Sequence, residues 1–336
     1  MKTIRWGILG CGRIARKFAA DLKLVADAEL TAVAARQLDN AREFAKEFPA
    51  SYTHGSYEEL VLNPEVDVIY IASPHALHHE HTLLCLKHKK AVLCEKAFAL
   101  NLWQAKEMVE ASKASQTFLM EAVWSKFLPQ YQKLQELIAA GDLGEIKSIL
   151  VNFGFAPQPP IPPRLFDPAL GGGSLLDIGI YNVFLVLSIL GRPDIIEASM
   201  TPSPEGVDEQ CASLFKYKNG AMAQLFSSLS SNLGTDADIS GTKSRVRLTA
   251  RFYAPSATVE LFTGREDSKE VIPVHREGGS GYQYEARHVG ECLRKGLIES
   301  PVMSHADSLL IMETMDRIRT AAGIHYDADD LFSTIV

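Results

Sequence analysis

Residues 3–15, TIRWGILGCGRIA, join a short apolar run to a glycine turn. Ile4, Trp6, Ile8 and Leu9 suit a strand buried on both faces in a parallel sheet. Gly10-Cys11-Gly12-Arg13-Ile14-Ala15 follows as G-x-G-x-x-A and opens a helix predicted over Arg13–Val25. Gly10 permits the tight turn, Gly12 lets a pyrophosphate approach the backbone, and Ala15 lets helix and strand pack closely. The N–H groups of Arg13 and Ile14, at the positive end of the helix dipole, suit phosphate oxygens. A second strand, Glu29–Ala35, follows at the expected interval, so a dinucleotide site is favoured over a bare structural turn.

Outward from this stretch, strands and helices alternate. Helices are predicted over Asp39–Phe48, from the Ser56 capping box to Leu62, over Ala76–Lys87, and from Asn101 to Ala114. Strands are predicted at Val66–Ala72, Ala91–Cys94 and Thr117–Ala122. This alternation predicts an α/β Rossmann domain, a doubly wound parallel sheet, over residues 1–122. The pattern then changes. A helix over Gln130–Ala140, a strand over Glu145–Phe155, and five prolines between Pro157 and Pro163 precede Gly171-Gly172-Gly173-Ser174, which opens an apolar helix to Leu190. Strand-like runs follow at Ile195–Thr201, Gln210–Tyr217, Ala221–Ser230, Arg245–Thr249, Thr258–Thr263 and Glu270–Val274. Lys218-Asn219-Gly220 fits a hairpin turn. Helices over Tyr284–Lys295 and Ala306–Ala322 close the chain. Residues 123–336 are thus expected to form an α+β domain with a large open, mostly antiparallel sheet.

The bulk numbers narrow the function classes. The 336 residues are 46% hydrophobic and 22% charged, as in globular proteins, and long enough for two domains. A net charge of −7 without basic clusters argues against a nucleic-acid partner. No apolar run long enough for a signal sequence or membrane span is read, so no membrane partner is expected. The five cysteines form no C-x-x-C pair, which suggests reduced thiols and a cytoplasmic location.

Arg36 stands just past the second strand, where an acid would bind the ribose hydroxyl of NAD and repel the extra phosphate of NADP. The sequence Ala34-Ala35-Arg36-Gln37 has no acid there, so NADP is preferred to NAD, with a solvated surface arginine as the plainer alternative. Lys96 follows Cys94-Glu95 at the end of a strand where open α/β sheets bind ligands. There it could donate to a substrate oxygen and lower the pKa of a neighbouring acid; an ordinary surface lysine is the alternative. Asp177 and Tyr181, four apart on the predicted helix, share a face. Tyr181 could donate and accept a proton with Asp177 orienting it, or the pair could be an amphipathic Asp and a core Tyr. His75, His78, His79 and His81 lack a metal-binding pattern, and no metal is expected.

The stretches GILGCGRIA, IASPHALHHEHTLLCLKHKKAVLCEK and GGGSLLDIGIY together resemble the Gfo/Idh/MocA oxidoreductase family over nearly the whole chain. Within it, AVAARQLDNAREFAKEF, GSYEEL, FLMEAVWSKFLP and YEARHVGECLRKGLIESPV resemble the group of dimeric dihydrodiol dehydrogenases, which also oxidise D-xylose with NADP. The resemblance places the family's Glu-Lys-Pro motif on Glu95 and Lys96, with Lys96 near nicotinamide and substrate. Its Asp-x-x-x-His pair falls on Asp177 and Tyr181, tyrosine being the variant of this group and the implied general acid/base. It also implies that Arg36 meets the NADP phosphate, that Ser73, Pro74 and His78 wall the cofactor with His75 at the nicotinamide edge, and that Trp124 and Phe153 line the substrate pocket. Ala97 replaces the motif's proline, which removes a ring that would stiffen the loop.

The implied reaction is NADP-dependent hydride transfer to or from a secondary alcohol of a sugar, polyol or cyclic diol. In the oxidation direction Tyr181, its pKa lowered by Lys96, would take the hydroxyl proton. The resemblance further implies a homodimer through the second sheet. The rival reading, which Ala97 favours, is a non-catalytic NADP-binding regulator or sensor.

Overall fold

A computed structural model describes residues 2–264 and 268–330. Six strands make the first sheet: β1 (Ile4–Leu9), β2 (Ala28–Ala34), β3 (Tyr52–His54), β4 (Val68–Ile71), β5 (Ala91–Glu95) and β6 (Leu119–Ala122). Every pairing is parallel, and the order is β3-β2-β1-β4-β5-β6. Helices α1 (Arg13–Leu22), α2 (Leu38–Glu47), α3 (Tyr57–Leu62), α4 (His78–Lys87) and α5 (Leu102–Ser115) connect them. Strands such as VIYI and AVLCE are buried at every position, which is why they run apolar without alternation. The order reverses at β1, which pairs with β2 on one side and β4 on the other. Ligands bind at such a reversal, outside the carboxyl ends of the strands. Beneath it, Phe18 stacks on Tyr70 with centroids 3.8 Å apart and meets Trp6 at 5.2 Å.

Helix starts follow their caps. Ser56 Oγ accepts from Glu59 N at 3.2 Å, and Asn101 Oδ1 accepts from Gln104 N at 3.0 Å.

The second sheet has eight strands: β7 (Ile146–Gly154), β8 (Ile195–Pro202), β9 (Asp208–Lys216), β10 (Met222–Ser228), β11 (Ala237–Gly241), β12 (Ser244–Thr249), β13 (Thr258–Thr263) and β14 (Ser268–Ile272). Their order is β14-β13-β12-β11-β7-β10-β9-β8, antiparallel except where β7 meets β10. The strand β11 is absent from the sequence reading. Its ADISG offers only Ala237 and Ile239 as buried apolar residues, yet it bonds to both β7 and β12. Helix α6 (Pro129–Ala139) precedes this sheet, and α7 (Ile180–Leu190) packs under it, with Asn182 Nδ2 donating to Phe226 O at 3.0 Å. Contrary to the reading that no stretch could span a membrane, residues 168–190 are long and apolar enough to do so. They are mostly buried in the protein, as a core helix is.

The chain divides into two compact units. One runs from the N-terminus to Trp124 and resumes over Glu277–Leu309; the other is Ser125–Arg276 and the chain from Leu310 onward. The sequence predicts a single division at residue 122; in the structure the first unit's leading segment ends at Trp124, and α8 (Tyr282–Arg294) lies with that unit. Asp21, buried at the end of α1, holds it there. Its carboxylate accepts from Ser280 N at 2.9 Å and Tyr282 N at 2.8 Å, capping α8. Leu119 N also donates to Ile298 O at 3.0 Å, extending the edge at β6. The last helix, α9 (His305–Ala322), continues from the first unit into the second.

Candidate active site

In the first unit, the loop after β1 is shaped as a cradle. Gly10 has φ +95°, and a Cβ there would lie 3.2 Å from Ala72 O. Gly12 has ordinary backbone angles, and a Cβ on it would meet nothing within 4 Å. That open space faces the start of α1, whose first turn holds no acid and no side-chain cap. The N–H groups of Arg13 and Ile14 therefore remain for an anion, and a dinucleotide pyrophosphate fits. Arg36 is exposed just past β2, and its charge reaches the neighbouring Tyr57 and His81.

The loop after β4 carries Ser73, Pro74 and His75. Pro74 precedes a short 3₁₀ turn over His75–Leu77, and the His75 ring stands perpendicular to that of His78, 5.7 Å away. His78 is fully buried. Its Nε2 lies 2.9 Å from Ser73 O and its Nδ1 2.7 Å from Ala97 O, so one ring ties the β4 loop to the β5 loop. Burial pushes its pKa down to about 4, against the pull of both carbonyls; the neutral ring donates to one of them at a time. His81 Nδ1 lies 2.9 Å from Ser73 Oγ, and burial lowers this ring's pKa to about 4 as well. His79 faces Glu107, with 2.7 Å between Nε2 and Oε2.

Glu95 turns into the core, where its carboxylate accepts from the Tyr70 hydroxyl and, at 3.2 Å, from Lys96 N. Lys96 is half-buried, and its charge bears on His78 and on Glu121. Burial pushes the Glu121 carboxyl up to about 7, opposed by its bonds from Ser308 and Phe98 and by Lys96. The Lys96–Ala97 peptide is cis. Ala97 lacks the proline ring, but the segment is held by other means. His78 bonds to Ala97 O, Phe98 N donates to Glu121 Oε1 at 3.0 Å, and Leu100 N donates to Gln104 Oε1 at 3.0 Å. Trp124 stacks on Tyr282 with centroids 4.5 Å apart and planes 4° apart.

In the second unit, the expected straight helix after the glycines is interrupted. Leu175–Gly179 forms a π-helical turn containing Asp177, and α7 begins immediately after it, with Tyr181 in its first turn. Such turns recur at functional sites because they re-aim side chains. Asp177 Oδ1 accepts from Arg164 Nη1 at 2.8 Å. Tyr181 sits in an aromatic cluster, its centroid 5.9 Å from Phe153 and 4.7 Å from Tyr253, while Phe153 stacks on Tyr253 at 4.3 Å. Burial, with a smaller contribution from Asp177, raises the Tyr253 pKa against the effect of Arg251.

Arg164 and Tyr253 are absent from the sequence reading. The motif RFYAP offered a faint signal for Tyr253, since two adjacent large aromatics are unusual in a solvated turn. Nothing around Arg164 in its proline-rich loop marks it. The first unit thus offers an anion cradle, an arginine and a lysine. The second offers a phenol among aromatic faces beside a carboxylate–guanidinium pair, a set able to hold and pass a proton.

Two family models match the chain. One described as "Oxidoreductase family, NAD-binding Rossmann fold" covers residues 4–123, and a "GFO/IDH/MocA C-terminal domain" covers residues 131–247. The trans-1,2-dihydrobenzene-1,2-diol dehydrogenase of Mus musculus is 39% identical over 336 residues, 97% of this chain and 99% of the relative. The protein of the same name from Xenopus tropicalis is 35% identical over 330 residues, 96% of this chain and 99% of the relative. Among solved structures, a 3-ketoreductase from Actinomadura kijaniata in complex with NADP and TDP-benzene superposes with TM-score 0.85. It is 26% identical, and the match covers 96% of this chain and 98% of that one.

Proposed function

The chain belongs to the Gfo/Idh/MocA oxidoreductase family and is an NAD(P)-dependent dehydrogenase acting on CH–OH groups, and from that premise we propose that it uses NADP to oxidise a secondary hydroxyl of a sugar, polyol or cyclic diol. Arg36 carries the cofactor assignment, because it stands exposed where NAD-specific domains place a carboxylate. The solved relative with NADP and the relatives named for a dihydrodiol support the same reading.

Gly10, Gly12, Arg13 and Ile14 would hold the pyrophosphate, and Arg36 the 2′-phosphate. Ser73, Pro74, His75, His78, Glu95 and Lys96 would shape the nicotinamide end, with Glu95 and His78 holding the loops that carry the others. When bound, the cofactor supplies a ring that accepts hydride. Tyr181 removes the hydroxyl proton, Asp177 orients it under the control of Arg164, and Lys96 steadies the developing charge on oxygen. Trp124, Phe153 and Tyr253 offer apolar faces to the carbon skeleton of the substrate.

The proposed assembly is a homodimer through the open face of the second sheet. The proposed location is the cytoplasm, on the ground that all five thiols are free.

Fluorescence titration tests the cofactor. A charge-assisted bond to the extra phosphate contributes about 1.5–3 kcal/mol, roughly ten- to hundredfold in affinity. NADP should bind that much more tightly than NAD, and Arg36→Ala should remove the difference. Equal affinity in the wild type would overturn the NADP assignment. Appearance of reduced cofactor over a panel of pentoses, hexoses and diols separates an enzyme of this specificity from a regulator that binds NADP without turnover.

A further inference from the structure

Asp208 begins β9, a strand that carries none of the groups described above, and it is completely buried. Its Oδ2 accepts from Leu175 N at 2.7 Å and from the Ser174 hydroxyl at 2.8 Å. Ser174 Oγ in turn lies 2.9 Å from Ser227 Oγ on β10. Gly173 has φ +115°, and a Cβ there would fall 2.2 Å from Asp208 Oδ1, so only glycine admits the carboxylate so closely. The Tyr326 hydroxyl donates to Gly172 O at 2.7 Å. Gly172-Gly173-Ser174 is therefore clamped from β9, from β10 and from the C-terminal segment. The next residue, Leu175, opens the π-turn that holds Asp177 and leads to Tyr181.

We propose that Asp208 is a positioning residue for the reaction: its carboxylate fixes the entry of the π-turn and thereby the angle at which Asp177 and Tyr181 leave the helix. The proposal rests on the assignment of Tyr181 and Asp177 made above.

An anchor needed only for stability has no use for a charge here. Among the described residues no cation pairs with Asp208, and its Oδ1 has no hydrogen-bond partner. A buried unpaired charge costs stability. Burial pushes its pKa up to about 6, opposed by its bonds from Ser174 and Leu175. With the native pKa above the ordinary carboxylate value, the folded chain binds a proton more readily than the unfolded one. The contribution of this group to stability is full at low pH and is lost as pH rises through about 6. The titratable groups facing it are Tyr326, and Cys211 on its own strand, both kept neutral by burial. What the charge does supply is a stronger grip, since charge-assisted hydrogen bonds are roughly twice as strong as neutral ones. A helix N-terminus also favours an anion. The carboxylate's bonds to Ser174 and Leu175, and its close fit against Gly173, fix the chain where the π-turn begins.

The test uses the full chain with Asp208→Asn, Asp208→Ala and Tyr181→Phe. At pH 8, Asp208→Asn should melt no lower than wild type, with NADP affinity and KM within about threefold and kcat about tenfold lower, the scale of a misplaced catalytic group. Asp208→Ala should speed amide exchange across residues 171–181 and lower kcat further. Unchanged kcat in both Asp208 variants, with Tyr181→Phe inactive, would overturn the proposal. So would a parallel decline of melting temperature, NADP affinity, KM and kcat in Asp208→Asn, the mark of a merely structural residue. Turnover persisting in Tyr181→Phe would instead overturn the assignment of Tyr181, while the exchange rates would judge the clamp separately.

Discussion

Tyr181 and Lys96 bear the reaction proposed for this chain, and neither belongs to the loop of Gly10 and Gly12. A free tyrosine titrates near 10 and is a poor base at neutral pH, so a nearby positive charge is needed to bring it into range. Tyr181→Phe keeps the ring against Phe153 and Tyr253 but removes the oxygen. Its kcat should fall about 10²–10⁴-fold with NADP affinity nearly unchanged. Lys96→Met should also lower kcat, and the double variant should be little worse than either single one if the two act together. A second consequence concerns His78 and His81, whose pKa values burial lowers to about 4. Both stay neutral in the fold while the unfolded chain takes up protons below its ordinary value of about 6.5. Stability should be intact above that value and fall as pH drops from about 6.5 toward 4, by an amount on the order of 3 kcal/mol for His78 alone. Denaturant titrations across that range should show the slope, and His81→Gln should flatten it. Gly10 and Gly12 stood out in the sequence by their spacing around a strand-to-helix turn, and Lys96, Asp177, Tyr181 and His78 through the resemblance to the family. Arg164, Tyr253 and Asp208 did not. Each reaches its partner only when distant segments fold together: Asp208 meets Leu175 from a strand 33 residues later in the chain.

At the level of elements, the alternation of strand and helix in the first sheet was legible, since β1, β4, β5 and β6 are buried along nearly their whole length and leave a continuous signal, whereas the short, largely exposed edge strand β3 was not read. Strand β11 left none, because its pairing partners rather than its composition define it. The π-turn was equally silent: the helix signal of residues 174–190 is the same whether or not one turn is widened. Both α1 and α8 were recognised as helices, but their pairing was not. Asp21→Ala should leave the buried N–H of Tyr282 and its neighbour at Ser280 without an acceptor. The expected loss is about 1–3 kcal/mol in chemical unfolding, and an unfolding curve identical to wild type would show that the cap contributes nothing.

For the molecule as a whole, the second sheet turns one face toward α7 and leaves the other open. That face holds Leu150, which is 49% exposed, and a depression of about 600 Å³ lined in part by Leu214, Gln224 and Phe226. Ion pairs flank it, Arg245–Asp238 at 2.6 Å and Lys216–Glu197 at 2.5 Å. An apolar centre with a charged rim suits the proposed homodimer. Leu150→Glu should then shift the mass measured by light scattering from dimer to monomer, and a wild-type monomer at micromolar concentration would remove the proposal. The return of the chain at Glu277 bears on inheritance. A gene fragment ending after Trp124 would encode six strands but would lack the helix that Asp21 caps, the ring that covers Trp124, and the backbone that pairs with Leu119. Recombination between relatives could not transfer this cofactor domain as one cassette; two crossovers bracketing residues 277–309 would have to travel with it.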